Sequence, residues 1–277
     1  MKIGMIQLLV EGTEPDRNIQ RALTYLDKAV AQKCDLVILP ETIDFAWTHP
    51  AALQQSKPIP GEYSNIFCHY AKQHQLYICV GLTEKEGNQN YNTAILINNQ
   101  GEIILKHQKI NLLEVEFPYY ERGNKIEVVD TPLGRIGLNI CADNYENGLH
   151  IGHALGHLGA QLILSPSSWT VEHQYTEKED PYAEKWIKPY TTLAQYYNLT
   201  IIGVTSVGYI VGGPYEGKKM VGGSLMVSSN HVKQLTTNEF STELVTIDIT
   251  LENIERKGTQ IGENLIERGY KFIQQIN

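Results

Sequence analysis

The sequence predicts a layered α/β fold, in which helices cover sheets of mixed strand direction. Short apolar segments typical of strands alternate with segments whose apolar residues recur at helical spacing. Two further pairs of strand segments are joined by polar turns that contain glycine, as in antiparallel hairpins. Because the 277 residues contain no repeat, low-complexity tract or linker, we predict a single domain, 1–277.

In the first half of the chain, the predicted strands and helices alternate. KIGMIQLL is a predicted buried strand, and residues 16–32 follow it as a helix with one apolar face. CDLVILPE predicts the second strand, residues 63–75 a helix, and LYICVGLTE a third strand. TAILIN and EIILKHQK predict a hairpin across NNQG, and IEVVDTPLGRIGLNI predicts a hairpin that turns at Thr131–Gly134.

The second half repeats the alternation. A helix is predicted from about 145 to 158, followed by the strand AQLILSP and by a helix with an apolar face. That face consists of Tyr190, Leu193, Ala194 and Tyr197. The strands TIIGVTSVG, GSLMVS and ELVTIDI come next, and a polar helix is predicted at the end of the chain.

Composition argues against several classes of protein. The formal net charge of −8 and the lack of Lys/Arg runs argue against a general nucleic-acid surface. No apolar stretch approaches the length of a membrane span, and Gln7 and Glu11 interrupt the N-terminal apolar run before it resembles a signal sequence. The four cysteines are irregularly spaced, as in proteins of a reducing compartment, so we predict a cytoplasmic protein.

One cysteine, Cys141, lies where a strand ends and a helix is predicted to begin, in RIGLNICADNYENG. A structural thiol is expected inside an apolar run. At the end of a strand, exposure to solvent and to the backbone N–H groups that follow favours the thiolate. The position therefore indicates a reactive rather than a structural cysteine.

Two other strands end in side chains that complement a thiol: LVILPE ends at Glu41 and EIILKHQK at Lys109. Side chains at strand ends converge on a crevice in layered α/β folds. A thiol nucleophile, a carboxylate base and an ammonium group that stabilises an oxyanion together form a set suited to acyl transfer. Taken singly, each residue also has an ordinary explanation, as a solvated turn glutamate, a sheet-edge lysine or an inert small hydrophobe.

Together these segments resemble the nitrilase superfamily of carbon–nitrogen hydrolases, whose hallmark is a Glu–Lys–Cys triad in this chain order. LPE, GEIILKHQKINL and above all TPLGRIGLNICADN carry the resemblance, which extends from KIGMIQ to GGSLMV. It implies that Glu41 is the general base, Lys109 the oxyanion stabiliser and Cys141 the nucleophile. The implied fold is an α-β-β-α sandwich, with helices covering two mixed sheets, and it is usually paired with a second subunit.

The resemblance also implies a second glutamate between the lysine and the cysteine. Glu114, Glu116 and Glu121 all lie in the corresponding loop, LLEVEFPYYERGN. Glu116 fits best, because aromatic residues and a Gly-Asn pair follow it. An exposed acidic loop is the alternative explanation.

The chain departs from the family at positions that bear on the substrate. Asn111 stands where many members have His, and Asn144 and Tyr145 stand where related carbamoyl hydrolases have Arg. No Arg occurs from 136 to 255, although the bidentate fork of Arg is the usual means of holding a substrate carboxylate. Because the loop 167–186 is aromatic and acidic, we expect neutral or cationic amides to be preferred over anionic ones.

Two patterns suggest other chemistry. His150, His153 and His157 share one face of a predicted helix, as zinc ligands can, but the chain has no HExxH motif and this helix is expected to pack on a sheet or a partner. GGPYEGKK, residues 212–219, approaches a phosphate-binding loop, but Lys219 occupies the Ser/Thr position. We expect a substrate-side or surface loop there instead.

The sequence therefore predicts hydrolysis of a non-peptide C–N bond, preferentially in a small carboxamide, through an acyl-enzyme on Cys141 and without cofactor or metal. Hydrolysis of an N-carbamoyl amine or a nitrile by the same residues is the alternative within the family. A catalytically inactive homologue that only binds is the alternative outside enzymes. A homodimer or higher homo-oligomer is expected, with no nucleic-acid or membrane partner.

Overall fold

Two facing β-sheets form the centre of the protein, and helices cover their outer faces, in a computed structural model that describes residues 1–175, 184–229 and 235–251. The strands are β1 (Lys2–Leu9), β2 (Leu36–Ile38), β3 (Tyr77–Glu86), β4 (Gln89–Ile97), β5 (Ile103–Gln108), β6 (Val128–Thr131), β7 (Gly134–Leu138), β8 (Leu162–Ser167), β9 (Thr170–Val171), β10 (Thr200–Tyr209), β11 (Lys219–Val221), β12 (Leu225–Ser228), β13 (Leu235–Thr236) and β14 (Glu243–Asp248). The helices are α1 (Pro15–Ala31), α2 (Ala52–Gln55), α3 (Glu62–His74), α4 (His150–His157) and α5 (Glu184–Tyr197). Short 3-10 turns occupy Glu114–Glu116, Cys141–Asn144 and Glu146–Gly148.

Each sheet has a parallel centre and antiparallel margins. The first sheet has the order β5-β4-β3-β2-β1-β14, and the second has the order β6-β7-β8-β10-β12-β13. The two sheets are joined in one hydrogen-bonded network, because the end of β1 pairs with β10. Leu8 lies opposite Ser206, and Leu9 lies opposite Val207. The short strands β9 and β11 extend this network beside β10. The sheets face each other, with β3 against β8 and β4 against β7.

The alternation of side chains along the strands explains why both faces of the first sheet are apolar. In β1, Ile3 and Met5 pack into the core shared by the two sheets, whereas Ile6 and Leu8 pack against the helices α1 and α3. These four side chains are fully buried. Burial of one such side chain contributes about 1.5–3 kcal/mol of hydrophobic stabilisation, so the alternation fixes which residues face the partner sheet.

The predicted elements of the described residues are confirmed, with two shifts. The helix after Cys141 begins at His150, because two 3-10 turns intervene. The strand expected at TAILIN begins earlier, at Gln89, because β4 continues into a hairpin with β3. The predicted C-terminal helix lies outside the described residues. None of the helices within the described part of the chain is both long enough and apolar enough to cross a membrane.

Candidate active site

A pocket of about 440 Å³ opens above the strand ends that the sequence singled out. This volume is in the range of small-molecule sites, about 300–1,000 Å³. Cys141 lies in its wall, and aromatic side chains line much of the remainder. These are Trp47, Tyr145, Tyr175, Trp186 and Tyr215.

Glu41 is held below the pocket by the backbone that follows β2. The N–H of Gly81 donates to the Pro40 carbonyl at 3.0 Å, and the N–H of Glu41 donates to the Ser167 carbonyl at 3.4 Å. A Cβ at position 81 would lie 2.6 Å from the Glu41 Cα, so glycine is required for β3 to approach this closely. The Glu41 segment is therefore fixed by both sheets.

The Glu41 carboxylate is buried and only partly satisfied. Its Oε1 accepts hydrogen bonds from Asn92 Nδ2 at 2.5 Å and Lys109 Nζ at 3.0 Å. Its Oε2 has no hydrogen-bond partner among the described residues. Burial raises the pKa of Glu41, and the neighbouring Lys109 opposes this shift. A buried carboxylate with a raised pKa and a free oxygen is suited to accept and return a proton.

Lys109 lies between two carboxylates. It follows β5 directly, and its buried ammonium contacts Glu116 Oε1 at 2.8 Å as well as Glu41 Oε1 at 3.0 Å. Burial alone would lower the pKa of Lys109, but the charges of Glu116 and Glu41 raise it well above the usual value. Lys109 is therefore a fixed positive charge at neutral pH.

The structure distinguishes the three candidate second glutamates. Glu116 is fully buried against Lys109, whereas Glu114 and Glu121 are exposed. The second oxygen of Glu116, Oε2, accepts a hydrogen bond from the Leu113 N–H at 2.8 Å. Both oxygens of Glu116 are thus anchored, and this side chain has no free oxygen to act as a base.

Cys141 occupies a strained turn. Its φ is +40°, which L-residues rarely adopt, and its Sγ lies 3.6 Å from the Ser168 carbonyl oxygen. The prediction of an exposed thiol at the start of a helix is wrong, because Cys141 is only 6% exposed and is the first residue of a four-residue 3-10 turn. Burial and the charge of Glu41 raise the pKa of Cys141, so the resting group is a thiol that needs a base.

Two further residues complete this cluster, and sequence reasoning missed both. Asn92, in β4, donates to Glu41 Oε1 at 2.5 Å. Trp47 lines the pocket and donates from Nε1 to Glu116 Oε1 at 2.8 Å, the oxygen that also accepts from Lys109. A polar residue in an otherwise buried strand was the only available sign of Asn92.

The outer part of the pocket carries charges of both signs. Glu172 comes from the acidic loop as expected, but Lys185 and Lys218 also line the pocket. Lys218 Nζ lies 2.6 Å from Glu172 Oε1, and it also lies over the Tyr215 ring. The described part of the lining therefore has no acidic excess. Glu177, Glu179 and Asp180 of the same loop lie outside the described residues, so the expected preference for neutral or cationic amides stays a prediction.

The two patterns that suggested other chemistry, the three histidines and the glycine-rich segment, have different roles in the structure. His153 Nδ1 lies 2.8 Å from the Tyr197 hydroxyl, and His157 packs edge-on against the Tyr197 ring. Within residues 1–175, 184–229 and 235–251, no group of three or more His, Cys, Asp or Glu is arranged to hold a metal ion. The glycine-rich segment at 212–219 forms the β10–β11 connection and contributes Tyr215 and Lys218 to the pocket.

Comparison with known families is decisive at this point: residues 2–257 match the family described as Carbon-nitrogen hydrolase. The chain belongs to the carbon–nitrogen hydrolase family. Nearly the whole chain is covered, so membership does not depend on the segment around Cys141 alone.

Sequence identity to individual relatives is low, and some of the matches cover only part of the chain. Human omega-amidase NIT2 is 26% identical over 180 residues, which is 61% of this chain and 64% of that protein. The chain thus matches less than two thirds of the length of such relatives. A nitrilase from Pyrococcus abyssi is 26% identical over 262 residues, which is 93% of this chain and 92% of that protein.

Solved structures share the fold of this carbon–nitrogen hydrolase. An amidase from Nesterenkonia sp. superposes with a TM-score of 0.76 at 20% identity, covering 97% of this chain and 95% of that chain. Saccharomyces cerevisiae Nit3 superposes with a TM-score of 0.74 at 21% identity, covering 89% of each chain. The layered α/β architecture predicted from the sequence is therefore confirmed.

Proposed function

We propose that the protein is an amidase that hydrolyses small carboxamides through a thioester on Cys141. The observation that carries this proposal is the buried contact of Lys109 with both Glu41 and Glu116 beneath a pocket lined by Cys141. One carboxylate is enough to neutralise a buried lysine, so a purely structural ion pair does not explain the second one. Burial of three charged groups is also costly unless they are closely paired. The arrangement supplies a base, a fixed positive charge and a nucleophile at one place.

In the first half of the reaction, Glu41 takes the proton from the Cys141 thiol and the sulfur attacks the carbonyl carbon of the amide. Negative charge develops on the carbonyl oxygen, and Lys109 together with the backbone N–H that follows Cys141 stabilises it. Protonated Glu41 then gives its proton to the leaving nitrogen. The C–N bond breaks, ammonia or an amine departs, and the acyl group stays on sulfur.

In the second half, a water molecule replaces the leaving group. Glu41 removes one proton from the water, and the resulting hydroxide attacks the thioester carbon. The C–S bond breaks, the carboxylic acid departs and the proton returns to Cys141. Glu116 holds Lys109 in place for both halves, since both of its oxygens are already engaged.

Nitrile hydrolysis is the second candidate. The Pyrococcus abyssi relative, which matches over 93% of this chain, bears the name nitrilase. Attack of Cys141 on a nitrile carbon gives a thioimidate, and addition of water with loss of ammonia then gives the same thioester. The catalytic cluster is thus compatible with both substrates.

The test is ammonia release from a panel of primary carboxamides, N-carbamoyl amines and nitriles. We expect the highest kcat/KM for a carboxamide and a loss of at least about 10⁴-fold in Cys141→Ala. Cys68→Ala is the matched control, because Cys68 is half-buried and outside the pocket, and it should keep wild-type activity. Turnover of nitriles alone would favour the second candidate, and turnover by Cys141→Ala would exclude both.

A further inference from the structure

Two segments of the reaction site are joined by a carboxylate that the proposed mechanism does not use. Asp143 lies two residues after Cys141, and its side chain is fully buried. Its Oδ1 accepts hydrogen bonds from the backbone N–H groups of Ile110 at 3.2 Å and Asn111 at 2.7 Å. These residues immediately follow Lys109. Asp143 therefore binds the backbone that carries the lysine.

The other oxygen of Asp143 secures the turn that carries the cysteine. Oδ2 accepts from the Ile140 N–H at 2.9 Å, and the Asp143 N–H in turn donates to the Ile140 carbonyl at 2.8 Å. These reciprocal hydrogen bonds enclose Cys141, whose positive φ is unfavourable for a residue with a side chain. The turn is thus held in a conformation that it would not adopt on its own.

His107, in β5, completes the connection from the strand that ends just before Lys109. Its Nε2 lies 2.8 Å from Asp143 Oδ2, and because an ionised carboxylate only accepts, Nε2 carries the hydrogen. Although burial raises the pKa of Asp143, the hydrogen bonds from His107 and the backbone lower it below its usual value. Asp143 is therefore ionised across the neutral range.

A second connection runs parallel to this one. Asn111 Nδ2 donates to the Ala142 carbonyl at 2.6 Å, directly after the cysteine. A Cβ at Gly148 would lie 2.2 Å from that Nδ2, so glycine leaves the space that the Asn111 side chain occupies. The residue that departs from the family pattern thus joins the same two segments.

We propose that Asp143, held by His107, is a positioning residue that fixes Cys141 relative to Lys109. The proposal rests on the proposed function, because it assigns importance to the geometry of those two groups. An error of about 1 Å in such a geometry costs on the order of 100-fold in rate. Replacing the carboxylate by an amide forces an NH₂ group against N–H donors, so the turn around Cys141 must shift.

The experiment compares Asp143→Asn with Glu84→Gln. Glu84 is a similarly buried carboxylate that accepts from Thr93, Lys106 and Gln108, none of which belongs to the cysteine turn. Both proteins are assayed at least 15 °C below their melting temperatures for kcat, for KM and for the rate at which iodoacetamide alkylates Cys141. We expect Asp143→Asn to lower kcat about 100-fold and alkylation about tenfold, with KM within about threefold. Glu84→Gln should stay within twofold in all three.

A second pair of variants decides the matter if Asp143→Asn does not fold. His107→Gln keeps a donor at a similar reach, whereas His107→Leu removes it. We expect His107→Leu to lower kcat at least about tenfold and His107→Gln to recover to within about threefold. Equal kcat in the two His107 variants, or wild-type kcat and alkylation in Asp143→Asn, would overturn the positioning role. A wild-type protein whose Cys141 is alkylated but which releases no ammonia would instead overturn the proposed function alone.

Discussion

The reaction cluster and the outer pocket are built in opposite ways. In the cluster of Glu41, Lys109, Glu116 and Cys141, no residue is more than 6% exposed, and the charged side chains are joined at 2.8–3.0 Å. In the outer pocket, the side chains of Glu172 and Lys218 are 57% and 31% exposed and form one ion pair. Exposed pairs contribute little free energy, whereas buried ones are costly to break. The cluster is therefore expected to set kcat, and the outer pocket to set the relative kcat/KM of substrates.

Apart from loss of the nucleophile Cys141 itself, the largest effect in the cluster is expected from the second glutamate. Glu116→Gln removes one of the two charges that hold Lys109, and we expect kcat to fall at least about 100-fold, because a buried ion pair is broken. The matched control is Glu114→Gln, which changes an exposed carboxylate two residues away in the same 3-10 turn. Steady-state amide hydrolysis measures both, and equal activities would contradict the assignment of Glu116 to the cluster.

The pH dependence should report the burial of Glu41. The base must be ionised, and burial raises its pKa, so kcat/KM should fall as pH decreases through a midpoint above that of an ordinary glutamate. Asn92→Ala removes a donor that favours the ionised form, which should move this midpoint to higher pH. Asn88→Ala, in the exposed β3–β4 turn, should leave the profile unchanged. A midpoint that Asn92→Ala moves to lower pH would exclude Glu41 as the titrating base.

Trp47 links the two regions, so its effect should be intermediate. Trp47→Phe keeps an aromatic wall but removes the hydrogen bond to Glu116, and hydrogen bonds to charged groups contribute about 1.5–3 kcal/mol. We expect kcat to fall about tenfold. Tyr215→Phe, which removes only the hydroxyl of a ring whose centroid lies 5.5 Å from that of Trp47, should change kcat less than twofold. Similar losses in both variants would mean that removal of any polar group from this wall of the pocket, and not the loss of the hydrogen bond to Glu116, accounts for the effect.

The smallest effect should come from the outer ion pair. Glu172→Gln leaves Lys218 without its carboxylate, so kcat/KM for an amide with a free carboxylate should rise about two- to fivefold relative to its neutral analogue. Added salt should reduce this change, because exposed charges are screened. A matched pair of substrates measured at low and high salt tests it. A fall in the ratio would show that Lys218 does not face the substrate.

The sequence could predict the residues that end strands but not those brought in by tertiary folding. Glu41, Lys109 and Cys141 follow apolar strands, and parallel strands place their ends at one edge. Trp47 reaches Glu116 across 69 positions of sequence, and no local pattern indicates that contact. Periodicity depends only on residues that are close in sequence. It could therefore identify the strands, but not the side chains that contact their ends across the fold.

The main error of the sequence-based prediction concerned the environment of Cys141. A strand end suggested an exposed thiol, but Ser168, 27 residues further along, covers it. Ser168 begins an aromatic, acidic stretch of sequence that gave no sign of this contact with Cys141. Lys218, from the β10–β11 connection, also lines the pocket, so the charge of the pocket could not be deduced from the composition of the loop 167–186 alone.

Detection of the acyl group on Cys141 during turnover tests the thioester mechanism most directly. The wild-type enzyme is mixed with excess carboxamide, quenched in acid within milliseconds and digested for peptide mass mapping. We expect the Cys141 peptide to gain the mass of the acyl group and to lose it on treatment with hydroxylamine, as a thioester does. An adduct on Cys34, Cys68 or Cys79 instead, or undiminished turnover by Cys141→Ala in the same assay, would contradict it.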